Sequence, residues 1–123
     1  KLTKISLIHA DPVANNIVIS GQTALMIDWQ SPALGDPMED LSHFLSPAMQ
    51  RLYRGKILNA KQQKQVLNAY QAQYPRFDFA RFERLYPHYS WRIAAYCLWQ
   101  KQQGNSDYSD AFDQEVTALK VKA

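Results

Sequence analysis

The chain has 123 residues, 46 % of them apolar and 20 % charged, with a formal net charge of +3. That is one domain's worth of chain with enough apolar content for a core, and no apolar run approaches the roughly 20 residues that a membrane-spanning helix needs. The one cysteine, Cys97, has no second cysteine to bridge to, which favours a reducing, cytoplasmic setting.

The charge is unevenly spread. Residues 1–41 hold Lys1 and Lys4 against Asp11, Asp28, Asp36, Glu39 and Asp40, a sum of −3, so the remainder carries +6. The basic residues are scattered, with no run that would track a nucleic-acid backbone. Neither nucleic acid nor a membrane is an expected partner.

Residues 5–8 form a short apolar run ending at His9, the pattern of a buried strand. Residues 16–20 and 24–27 flank Gly21-Gln22 and predict a β-hairpin with a short loop. From Pro37 onward the chain reads as helical. Leu41, Phe44 and Leu45 mark a first helix, which Ser46-Pro47 ends while starting the next. Asn59, with Gln62 three residues on, predicts a capping box for a helix through Val66, Leu67 and Tyr70 that Pro75 terminates. Asp78 caps a further helix carrying Phe79, Phe82 and Tyr86. After Pro87, residues 93–99 are apolar almost all round, which predicts a helix central to the core. Gly104 stands where a C-terminal cap belongs, and a last helix is expected from about Tyr108 to Leu119. The coarse picture is a small hairpin unit followed by a helical body.

Asp11 falls on the loop before the first hairpin strand and Asp28 just past the second, so the hairpin is expected to bring both carboxylates to one site. Asn16 lies five residues after Asp11. These parts suit moving a phosphoryl group to a hydroxyl: an Asp can accept the hydroxyl proton, while an Asn and another Asp are hard oxygen ligands for magnesium. His43 and His88 have no partner pattern and read as structural or surface residues. Cys97, in an apolar helix without a basic neighbour, reads as a packed thiol. Tyr86, Tyr89, Trp91, Tyr96 and Trp99 could cage a quaternary amine, but core packing is the plainer reading. Asp107, Asp110, Asp113 and Glu115 read as a solvated helix start.

His9-x-Asp11-x-x-x-x-Asn16 followed by Ile27-Asp28 has the spacing of the kinase catalytic loop and its metal-binding Asp. With Gly35-Asp36-Pro37-x-x-Asp40-Leu41 added, the chain resembles the aminoglycoside phosphotransferase family, kinase-like enzymes that include choline, ethanolamine, thiamine and homoserine kinases. The resemblance runs from Leu7 to Leu45. It implies an α+β, mostly helical, protein-kinase-like C-terminal lobe, with the catalytic loop and hairpin in residues 1–41 and the helical body in residues 42–123.

The resemblance further implies that Asp11 is the catalytic base and that His9 buttresses its loop from beneath. Asn16 and Asp28 would hold Mg2+ against the phosphates of ATP or another nucleoside triphosphate. Asp36 and Asp40 would accept backbone hydrogen bonds at a helix start. The implied acceptor is a small-molecule hydroxyl on an amino alcohol, a sugar, a vitamin alcohol or an aminoglycoside. Ala10 replaces a usual Gly, a modest change if the backbone there is not left-handed. Val13 and Ala14 stand where His and Pro are common. With four glycines in all, the chain has no Gly-rich phosphate loop. In the resembled family the nucleotide lobe lies N-terminal to such a segment. Residues 1–123 are therefore expected to be a single partial domain without that lobe, inactive alone and prone to self-association. The alternative is a kinase-like module that binds without turnover.

Overall fold

The computed structural model describes residues 5–122; Lys1 and Lys4 of the charge balance lie outside them. The elements run β1 (Ser6–Ile8), β2 (Ile17–Ser20), β3 (Thr23–Met26), β4 (Ala33–Gly35), then helices α1 (Pro37–Leu45), α2 (Pro47–Arg54), α3 (Ala60–Gln73), α4 (Phe79–Gln102) and α5 (Asp107–Lys122). The fold is mostly helical α+β, with two small two-stranded sheets among the described residues.

β2 and β3 form the expected hairpin, with Ile17 opposite Met26 and Ser20 opposite Thr23. Its two-residue loop places Gly21 at φ +58°, and glycine at the first loop position is what a type II′ turn requires. β4 was not expected. It pairs antiparallel with β1, Leu7 opposite Leu34 and Ile8 opposite Ala33. A Cβ on Gly35 would come within 2.8 Å of Ile8 Cδ1, so glycine lets β4 close over the buried Ile8.

The helix starts follow local chemistry. Asp36, Ser46, Asn59 and Asp78 each cap a helix by accepting a backbone N–H, and Asn59 and Gln62 complete the capping box. α1 buries Met38, Leu41, Ser42 and Leu45, one stripe at helical spacing.

α4 departs from expectation twice. It runs straight through Pro87 for 24 residues. An interior proline costs about 3 kcal/mol, and the buried stripe Phe82, Tyr86, Ser90, Ile93, Ala94 and Cys97 lies on both sides of it to offset that cost. Nor is α4 wrapped by core. Trp91, Tyr96, Leu98 and Trp99 are exposed, because the buried residues of α4 all lie on one face at helical spacing. The five aromatics do not share one cage: Tyr86 packs on Phe82, whereas Tyr96 meets Trp99 and Tyr108.

The core has two centres. Val13, Ala48, Met49, Ile93, Cys97 and Ala111 form one; Met38, Leu41, Leu45, Phe77, Phe82 and Tyr86 form the other. Burial, and then the nearby Glu115, push the Cys97 thiol up to about 12, so it stays protonated and inert. Glu115 is fully buried, not part of a solvated helix start. Its carboxylate accepts from Ser46 Oγ at 2.5 Å, Ala48 N at 2.9 Å and Ser90 Oγ, tying α5 to α2 and α4. Asp110, by contrast, is exposed and paired with Arg51 at 2.5 Å.

Candidate functional site

The residues between β1 and β2 make a tight loop that helix α1 holds from one side. Asp40 of α1 accepts the His9 N–H at 2.7 Å and the Ala10 N–H at 3.0 Å. Those bonds hold Ala10 at φ +71°, a left-handed conformation that favours glycine. The condition for a modest change is therefore not met, and Ala10 is strained. Asp40 also departs from expectation, since it serves the loop and not the start of its own helix. Asp36 does serve the helix start, accepting from Met38 N at 3.0 Å and pairing with Arg81 of α4. Burial alone would raise the Asp36 pKa; the Arg81 hydrogen bond and charge and the Met38 N–H outweigh it and hold the carboxyl below its ordinary range.

His9 is buried, and both ring nitrogens are used. Nδ1 accepts the Asp11 N–H at 3.2 Å, which leaves Nε2 to donate to the Ile27 carbonyl at 2.8 Å. Trp29 covers the ring, with centroids 4.5 Å apart, and its Nε1–H donates to the Met26 carbonyl at 2.9 Å. His9 thus braces the Asp11 backbone and ties the loop to the end of β3, with both ring nitrogens bonded to backbone groups. Val13, two residues past Asp11, is buried in the core beside Ala48 and Met49.

The Asp11 side chain is about half exposed. Asn16 is buried and turns its Nδ2 to the Asp11 carbonyl at 2.9 Å and to Asp11 Oδ2 at 3.3 Å. With the amide nitrogen committed, Asn16 Oδ1 is the atom left to ligate a cation. The Asn16 carbonyl accepts the Ile27 N–H at 2.8 Å, extending the hairpin by one pair and setting the Asp28 backbone beside Asn16. Asp28 is exposed and sits at φ +60°. Left-handed non-glycine residues tend to gather where geometry serves a site, and Asp tolerates that conformation better than most. The chain thus brings Asp11, Asn16 and the Ile27-Asp28 turn together, with His9 beneath.

One neighbour was not anticipated. His43 of α1 lies with Nε2 3.4 Å from Asp11 Oδ1. Its burial pulls the pKa down, while Asp11 and Asp40 pull it up and Arg92 again lowers it; the net direction is below the ordinary value. The signal was present in the spacing. His43 follows Asp40 by three residues, which puts both on one helix face, and Asp40 is bonded to the loop.

Among the described residues no cluster of three or more His, Cys, Asp or Glu forms a cage for a metal. Asn16 and Asp28, the residues expected to hold Mg2+, carry oxygen donors, the kind a hard cation takes. The model of the phosphotransferase enzyme family matches residues 2–115 of the chain. No curated protein and no solved structure matches it.

Proposed function

The chain belongs to the phosphotransferase enzyme family, and from that premise we propose that it transfers the γ-phosphoryl group of ATP to a hydroxyl of a small molecule. The observation that carries this reading is the meeting of Asp11 and Asn16 in a loop clamped by Asp40, with the Ile27-Asp28 turn bonded alongside. Asp11 is the base: half exposed, it can reach an acceptor hydroxyl, orient it and take its proton. Asn16 Oδ1 and the Asp28 carboxylate would hold Mg2+, whose charge would offset that on the transferring phosphoryl group. His9 keeps the loop in shape without exchanging a proton.

Residues 1–41 and 42–123 act on this reading as the catalytic hairpin and helical body of a kinase-like C-terminal lobe. A nucleotide lobe would be needed to complete the grip on ATP. Leu7, Ile19, Leu25 and Leu34, all exposed on the strands, support a covering surface there. Among acceptors, the basic balance beyond residue 41 favours a small amino alcohol, a sugar or a vitamin alcohol over a polycationic aminoglycoside.

The test is an assay of the full-length protein with ATP, Mg2+ and a panel of alcohols. Asp11→Asn should lower turnover by about 10²-fold or more while nucleotide binding persists. Asp28→Ala should instead abolish metal-dependent nucleotide binding. Nucleotide binding without turnover on any acceptor would favour a non-catalytic module, and near-normal turnover in Asp11→Asn would leave Asp11 as a turn residue.

A further inference from the structure

His43 Nε2 is shut off from solvent and has no well-aligned hydrogen-bond partner, although Asp11 Oδ1 is only 3.4 Å away. A buried polar group left without a bond costs about 1–3 kcal/mol, so its place against a half-exposed carboxylate needs a reason. Catalytic hydrogen bonds are often long or misaligned before substrate arrives and tighten afterwards.

We propose that His43 is a positioning residue for Asp11: its neutral imidazole gives the Nε2–H to Oδ1 and turns Oδ2 to the acceptor hydroxyl. The inference rests on Asp11 being the base. Among the described residues Oδ2 carries the 3.3 Å contact from Asn16 Nδ2 alone, so it has room for a further partner. In the transfer the acceptor oxygen bonds to the γ-phosphorus, the bond from phosphorus to the bridging oxygen of the departing nucleotide breaks, and the hydroxyl proton passes to Oδ2. His43 neither gains nor loses a proton.

Three groups face the imidazole: Asp11 from the loop, Asp40 from its own helix and Arg92 from α4. Burial, the largest influence, holds the ring neutral at neutral pH, where it has a proton to donate. Arg92 is itself paired with Glu39 of α1 at 2.7 Å. Helix α1 thereby fixes the loop twice, at the backbone through Asp40 and at the carboxylate through His43.

The experiment compares His43→Leu, His43→Gln and Asp11→Asn in the full-length protein, using ATP and an alcohol that the wild type phosphorylates. His43→Leu, which lacks a donor, should lower kcat about tenfold to a hundredfold, the worth of a hydrogen bond to a charged group, with acceptor KM little changed. His43→Gln, which keeps an N–H, should recover most of that loss. Independently of any acceptor, the His43 ring followed by NMR should titrate at lower pH in Asp11→Asn than in wild type, because Asp11 is what raises it. Unchanged kcat in His43→Leu, equal impairment in the Leu and Gln variants, or an unmoved His43 titration each overturns the proposal. Normal turnover in Asp11→Asn would instead overturn the assignment of the base.

Discussion

Ala10 shows how a single side chain can record the demands of its site. Its N–H and that of His9 are held by Asp40, and the backbone turns left-handed at Ala10 itself. An alanine in that conformation costs roughly 1–2 kcal/mol more than glycine. Glycine returns about 0.5–1 kcal/mol of that through the freer unfolded chain. Ala10→Gly should therefore stabilise the protein by up to about 1 kcal/mol, seen as a higher urea midpoint at unchanged slope. A lower midpoint would mean that the methyl group makes contacts worth more than the strain. The strain was invisible beforehand because φ depends on Asp40, thirty residues away.

At the scale of elements, α1 is the part on which the site depends. Asp36 opens it, and its pairing with Arg81 fastens it to α4. Removing Arg81 would leave a buried carboxylate without its cation, and Arg81→Gln should cost about 3 kcal/mol. The pH dependence follows from the sign of the shift. The folded Asp36 pKa lies below the ordinary 3.8, so its contribution is complete above that value and disappears as pH falls through the lowered folded value. Unfolding midpoints taken from pH 6 down to about 2 should decline in the wild type and decline less in Arg81→Gln. Parallel curves would mean that the pair is not what couples stability to acid.

Much at this scale was readable in the residues. Asp36, Ser46, Asn59 and Asp78 are local signals, bonded to N–H groups two or three residues on, and the hairpin follows from Gly21 and its flanking apolar runs. The approach of Asp11, Asn16 and the Ile27-Asp28 turn was likewise implied by hairpin geometry. β4 was not, since three residues are too few to show alternation. The unbroken passage of α4 through Pro87 depends on packing along its whole length. Glu115 became visible only when partners 25 to 69 residues away were in place, and His43 showed only through its spacing from Asp40. Sequence spacing carries local bonds well and tertiary ones poorly.

For the molecule as a whole, the open apolar surface sets its behaviour in solution. Leu34 is 78 % exposed and Leu7, its cross-strand neighbour, 65 %; such patches are usually covered by association. If a nucleotide lobe is what covers them, residues 1–123 alone should self-associate and turn over no ATP. Light scattering should then show a mass above that of one chain, falling toward it in the Leu7→Lys, Leu34→Lys double variant. A monomeric wild type that phosphorylates an alcohol would remove the need for any covering surface. The interior has a different dependence. Ser46, Ala48 and Ser90 all donate to Glu115, across 69, 67 and 25 residues of chain. On the ribosome every one of those donors emerges before the carboxylate that serves them. The core centre built on Ala48 and Ala111 therefore cannot settle piecemeal as the chain is made; its closure waits for α5, and a chain stalled earlier in synthesis holds three donors in search of an acceptor.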